Sequence, residues 1–402
     1  MSERERGLIL IKDADGPTDS DNQAGFLNFG PPISAIVIAT IGQAGVGVQP
    51  VMVSALTEAG GFDIKVAGYI ASAEILGIVV TNLATVITGS RSNWRSLCLI
   101  GLVLLIVGSI ASIFARTDFE SMIAARLISG FGAGLLTSSG YAAAGMTRNP
   151  DRMFGYILAA ATAHAALTSL LLPGLAISWG VQTIFIYFGI LGLIGLPFLK
   201  WIPVSTNTQV MQLHSGSKLS ERLAALLAVV LLFTGLGVLW PYLFQIGLNM
   251  GAGVDGASIG LTSSHLAAFG GALLAGYAGR LIPAFAMFLL AMAVTIGSIL
   301  LLPVLSGALA YAILASGFNA GSNMAIVLAL GAVAQADVNG RWIAGAVMLQ
   351  TLGLAIGPAL AALVMTGSDF QMPEILSVVL IAGSCIAGIF VALQARHRSI
   401  LV

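Results

Sequence analysis

Apolar runs long enough to cross a lipid bilayer recur twelve times along this chain, and little else about the sequence constrains its fold as tightly. A helix needs about 20 apolar residues to span the hydrocarbon layer. Runs of that length fall near 32–55, 66–89, 96–115, 120–146, 153–176 and 181–199. After the polar stretch KWIPVSTNTQVMQLHSGSKLSER (200–222), six more follow near 223–248, 257–279, 283–303, 307–335, 342–366 and 374–395. Of the 402 residues 57% are hydrophobic and 8% charged, more apolar surface than a water-soluble core can hide, so lipid is the expected solvent. The fold class predicted is an all-α membrane protein of twelve transmembrane helices in two pseudo-symmetric six-helix bundles.

The division expected is a disordered cytoplasmic tail over 1–31, bundles at 32–199 and 223–395, a cytoplasmic linker at 200–222 and a tail at 396–402. The first thirty residues are polar and charged, without the apolar core of a signal peptide. With the N-terminus inside, the inner loops and C-terminus carry eleven basic residues and the outer loops only Lys65 and Arg116. That asymmetry predicts cytoplasmic termini, in what is expected to be a bacterial inner (cell) membrane. The formal net charge is zero, which gives no reason to expect nucleic acid as a partner. Cys98 and Cys385 lie in apolar runs and read as packing residues. No metal-ligand spacing or phosphate-binding loop is present, so neither a metal nor another cofactor is expected and ATP-driven transport by this chain alone is excluded.

The two sets of six are alike at an offset of about 190 residues. SGFGAG (129–134) returns as SGFNAG (316–321), GVGVQP (45–50) as GLGVLWP (235–241), and NPDRMFG (149–155) is echoed by VNGRWIAG (338–345). SAEILG (72–77) aligns with SSHLAA (263–268), setting His265 opposite Glu74. Parallel six-helix repeats with a site between them are a transporter architecture. From about residue 32 to 395 the chain resembles the major facilitator superfamily, and RLISGFGAG (126–134) is the most specific local match. By that resemblance Arg126 occupies a position often tied to proton coupling. Other family motifs are degraded. SRSNWR (90–95) keeps Arg91 and Arg95 but has Ser90 where the family carries Asp, and AGYAGRLIP (275–283) keeps Arg280 but has Gly279. The antiporter-type Gly-Pro motif is missing from helix 5, which reads LTSLLLPGLA (167–176). Inner-loop gating residues expected are Arg91, Arg95, Asp151, Arg152, Arg280, Asp337 and Arg341.

Glu74 and Arg126 stand alone as charges within the runs. Each costs roughly 2.5–3.5 kcal/mol at a helix centre, so each should face protein or water. At 1.5 Å per residue they lie about 14 and about 9 Å below the outer surface, so a direct or water-bridged pair is geometrically possible. Glu74 is then either a proton carrier or one side of a structural ion pair. His164 and His265 each sit roughly 15–18 Å deep. The resemblance puts helices 5 and 8, and helices 2 and 11, face to face across the halves. His164 and His265 would then meet across the cavity, and Glu74 would face Gln350. The alternative for each histidine is an independently hydrogen-bonded core residue.

The proton-coupling residues expected are Glu74, Arg126, His164 and His265, and the substrate-binding candidates are Gln43, Gln49, Arg126, Tyr141, Trp240, Tyr242, Gln245, Asn319, Asn323 and Gln350. Amides and aromatics beside Arg126 suit an amphipathic organic anion, although each can equally bind helix to helix. The function expected is proton-coupled uptake (symport) of a small organic anion such as an aromatic or other carboxylate, by alternating access. The alternatives are proton-driven efflux of a lipophilic compound and, from another class, a non-transporting membrane sensor. The partners expected are the small-molecule substrate, protons and the lipid bilayer, with the chain a monomer and not an enzyme.

Overall fold

The computed structural model describes residues 30–88, 93–115, 118–147, 149–202, 219–278, 282–336 and 341–401. The expected N-terminal tail, most of the 200–222 linker, and Arg91, Arg280 and Asp337 lie outside them. In the first half α1 is Gly30–Glu58, α2 Ile64–Thr88, α3 Trp94–Phe114, α4 Phe119–Gly145, α5 Pro150–Trp179 and α6 Gln182–Gly195, which ends in a tight turn at Leu196–Trp201. In the second half α7 runs Leu219–Leu239, breaks at Trp240–Tyr242 and resumes over Leu243–Asn249. It is followed by α8 (Gly253–Ala278), α9 (Ala284–Leu301), α10 (Ala308–Ala336), α11 (Arg341–Val364) and α12 (Gln371–Leu401).

Among the described residues eleven helices are long and apolar enough to span a membrane, and α11 carries a shorter apolar segment, Met348–Val364. α12 continues as helix to Leu401, past the apolar run that ends near 395. The chain is therefore an integral multi-pass membrane protein.

Helix starts follow local chemistry. Asp118 caps α4, its Oδ2 accepting from the Ser121 N–H at 2.9 Å, and Asn93 caps α3 through Ser96 at 3.2 Å. The break in α7 falls at Pro241, which has no N–H to continue the helical ladder.

Four of the main helix pairings occur in both halves. In the first half α4 packs on α1, α2 and α3, while α1 packs on α5 and α3 on α6. In the second, α10 packs on α8 and α9, while α7 packs on α11 and α12 and α9 on α12. Between the halves α2 packs on α11 and α5 on α8, the pairs that the family resemblance implied.

The apolar core is not shared evenly by the two ends. The largest cluster joins the halves on the side remote from the termini, with Val51, Leu56 and Ile70 beside Leu243, Phe244 and Ile246. On the terminus side the clusters stay within one half. Ile38, Trp94, Leu136 and Ile157 form one, and Val229, Phe233 and Ala346 another. Ile75 and Val79 of α2 meet Ala355 of α11 between these levels.

Candidate functional site

Glu74 and Arg126 form an ion pair, Nη2 to Oε1, with side chains 2% and 0% exposed. The pair is sealed inside the first half. Arg126 Cζ lies 5.1 Å from the ring centre of Phe188 and 5.6 Å from that of Phe185, both on α6. Gly45 of α1 makes room on the other flank, since a Cβ there would stand 2.5 Å from Glu74 Oε1. Gly130 lets α4 lie directly against the backbone of α2 at Glu74. Arg126 Nε and Nη1 and Glu74 Oε2 have no hydrogen-bond partner. The sequence left open whether Arg126 reaches Glu74; it does. The expected facing of Glu74 and Gln350 is corrected accordingly. Glu74 turns inward toward α4 because its counter-charge is there, while half-buried Gln350 lies on α11.

The polar residues expected in a cavity divide into three groups. Gln49 and Tyr242 are buried at 1% and 0% exposure and serve as helix-to-helix ties. Gln49 Nε2 donates to the Ala71 carbonyl at 3.2 Å, and the Tyr242 hydroxyl donates to the Pro358 carbonyl at 3.2 Å. In this conformation both side chains are enclosed between helices, as is Arg126.

A second group bridges the halves on the side remote from the termini. The Ser54 hydroxyl donates to Gln245 Oε1 at 3.3 Å, and Gln245 Nε2 donates to Glu58 Oε1 at 3.0 Å. Thr262 Oγ1 of α8 donates to the Ala166 carbonyl of α5 at 3.1 Å. Trp240 Nε1 donates to the Val46 carbonyl of α1 at 3.0 Å. Gly68 of α2 admits the Tyr242 hydroxyl, which any Cβ would meet.

The third group lines the space between the halves. His164 on α5 is hydrogen-bonded through Nε2 to the Tyr187 hydroxyl of α6 and stacks on that ring. His265 on α8 lies within electrostatic reach of His164 and meets the Trp240 ring edge-on, centroids 5.5 Å apart. Its Nε2 is buried with no partner. Asn319 Nδ2 donates to Ser264 Oγ at 2.7 Å, Asn323 Nδ2 to the Asn319 carbonyl at 3.0 Å, and Gln43 Nε2 to the Tyr141 hydroxyl at 3.3 Å. Gln43, Tyr141, Asn323 and Gln350 are half-buried; Gln43 and Asn323 lie near the middle of their helices, Tyr141 and Gln350 toward the terminus-side ends. Sequence reasoning missed Tyr187, whose signal was a phenolic hydroxyl midway along the apolar stretch TIFIYFGILG (183–192). It also took Glu58 for a loop charge, although it ends α1 facing Gln245.

Of the expected gating residues, Arg95 is exposed and ties α3 to the end of α6. Its Nη2 donates to the Lys200 carbonyl at 2.8 Å, and its Nε to that of Ile202 at 3.1 Å. Arg152 is exposed on α5. Asp151 and Arg341 lie on α5 and α11, and their side chains are outside the described residues.

The family model of the Major Facilitator Superfamily matches residues 33–330. The chain belongs to the Major Facilitator Superfamily. It is thus a membrane transporter and not an enzyme. No curated protein matches it significantly in sequence. Among solved structures it is similar to the POT family transporter PepTSo, with TM-score 0.73 and 11% identity over 93% of this chain and 99% of that one. An auto-inhibited POT family peptide transporter gives TM-score 0.71 and 12% identity over 91% and 96% of the chains. A D-xylose-proton symporter gives 0.69 and 14% over 89% and 97%. At these identities the likeness establishes the fold.

Proposed function

We propose that this chain is a proton-coupled symporter taking up a small organic anion, such as an aromatic or other carboxylate, by rocking of residues 32–199 against 223–395. The observation that carries the reading is the pair of imidazoles on opposite halves, His164 and His265, the latter with a buried ring nitrogen that has no partner. Imidazole changes charge near neutral pH. A protonated His265 presents a charge-assisted donor to a carboxylate, and a neutral one releases it. Trp240 supplies an apolar wall, and Asn323, Gln43 and Tyr141 supply polar contacts along the path. Glu74 and Arg126, sealed and paired, brace the first half in this conformation and leave proton carriage to the histidines. The similarity in fold to a proton symporter is consistent with this assignment.

The basic residues near the termini place that side in the cytoplasm. Since the bonds between the halves lie at mid-depth or on the remote side among the described residues, the conformation reads as inward-facing.

The test uses purified protein in proteoliposomes with an imposed pH gradient and a panel of organic acids. The expected result is accumulation that collapses with a protonophore. His265→Ala should lose gradient-driven accumulation yet retain counterflow exchange of the same acid. Accumulation driven only by the reversed gradient would make the chain an exporter, and binding without flux a sensor.

A further inference from the structure

α1 contains a proline in its interior, Pro50, and an internal proline deprives one carbonyl of its helical donor. The carbonyl left over is that of the residue four positions earlier, Val46. That is the oxygen to which Trp240 Nε1, from the opposite half, donates its hydrogen bond at 3.0 Å. The half-buried Trp240 immediately precedes Pro241, where α7 breaks, so the indole is carried at the bend of α7. The helices that supply the two ends of this bond are repeat counterparts, GVGVQP and GLGVLWP.

We infer that Pro50 and Trp240 form a latch between the two halves: the proline exposes a carbonyl on α1, and the indole N–H of α7 closes on it in the conformation sealed on the side remote from the termini. Two further ties lie on the same seam, Gln245 with Ser54 and Glu58, and Thr262 with Ala166. The Trp240 bond differs from them in its acceptor. The Gln245 amide oxygen and the Glu58 carboxylate can rotate to another partner and the Ala166 carbonyl lies in an unbroken turn of helix, whereas the Val46 carbonyl has no helical donor to return to and must take water when the latch opens. Trp240 is therefore assigned a gating role in the transport cycle. The inference rests on the alternating-access reading above, and it is independent of what the substrate is.

The test measures the distance between the halves on the remote side without substrate. Cys98 and Cys385 are replaced by Ala, spin labels are placed at exposed Ala59 after α1 and exposed Asp255 at the start of α8, and distances are recorded in liposomes by pulsed EPR. Trp240→Phe keeps the ring and removes the donor. A net contribution of the size usual for one hydrogen bond predicts about a two- to twelve-fold rise in the remote-side-open population. Pro50→Ala restores an N–H for the Val46 carbonyl, removing the acceptor's need for the indole. In that background Trp240→Phe should add little, giving strong non-additivity.

A wild-type distribution in Trp240→Phe, or full additivity of the two substitutions, overturns the latch. If Trp240→Phe fails to fold, Pro50→Ala alone must still shift the population toward the remote-side-open state, and no shift overturns it. Failure of the organic-acid panel would show no uptake while leaving these distances unchanged, so the two outcomes are distinguishable.

Discussion

Removing one member of the Glu74–Arg126 pair should damage the protein far more than removing both. The two side chains are 2% and 0% exposed, the guanidinium keeps two nitrogens unpartnered, and each charge has the other as its ion-pair partner. Arg126→Met leaves a carboxylate, and Glu74→Leu leaves a guanidinium, in a pocket otherwise walled by Phe185, Phe188 and Gly45. Breaking a buried pair from one side costs about 3–5 kcal/mol, while replacing both members by apolar residues of similar size is often neutral or stabilising by about 1–4 kcal/mol.

The two single variants should not be equal. A lone carboxyl can shed its charge by binding a proton, whereas a guanidinium cannot be neutralised at any accessible pH. Glu74→Leu should therefore be the worse, and Arg126→Met should improve in acid. If the first half unfolds as a unit of about 170 residues, entropies near 2.1 cal/mol/K per residue turn 3–5 kcal/mol into a fall in Tm of roughly 8–14 °C. Fluorescence-detected thermal unfolding in detergent, at pH 5.5 and 7.5, measures all four proteins. Single variants within 1 °C of wild type, or a double variant as unstable as the sum of the singles, would refute the reasoning.

Gly45→Ala should lower stability by about 1–3 kcal/mol, because the added Cβ would stand 2.5 Å from Glu74 Oε1 and push the carboxylate off Arg126; its effect should largely vanish in the Glu74→Leu/Arg126→Met background. Gly68→Ala introduces a Cβ into the space held by the Tyr242 hydroxyl, so it should separate α2 from the second half and raise the remote-side-open population in the EPR measurement. Asp118 is exposed and its carboxyl is held below the usual range by the Ser121 side chain first and the Ser121 N–H second. A depressed carboxyl contributes its stability above the ordinary value, near pH 4, and loses it as the pH falls through the lowered one. Protection factors at the start of α4, that is exchange corrected for its intrinsic pH dependence, should accordingly be higher at pH 6 than at pH 2–3, and Asp118→Ala should be weakly protected at both.

The fold was legible because lipid imposes length on apolar segments, and because the repeat SGFGAG/SGFNAG tied the two halves together. Arg126 and Glu74 were legible as a candidate pair because a charge in lipid must find a partner. What was hidden is the direction in which each side chain turns. In a membrane both the outer surface and the core are apolar, so no polar stripe tells the buried face of a helix from the lipid face. Gln49 and Tyr242 thus read as cavity residues, though Gln49 Nε2 and the Tyr242 hydroxyl donate to the Ala71 and Pro358 carbonyls inside the bundle. Tyr187 stayed hidden because its partner, His164, lies on another helix. The acceptor that Pro50 leaves on Val46 was implicit in the sequence, but which donor takes it depends on the packing of α7 against α1.

The central claim is coupling of substrate movement to protons through the histidines between the halves. It is tested most directly by recording internal pH and labelled organic-acid uptake together in proteoliposomes, for wild type and His265→Ala. The account predicts that adding a transported acid to wild-type vesicles acidifies the lumen as the acid accumulates, and that His265→Ala exchanges the acid without accumulating it or moving protons. Accumulation with no proton movement, or gradient-driven uptake by His265→Ala at the wild-type rate, would contradict it.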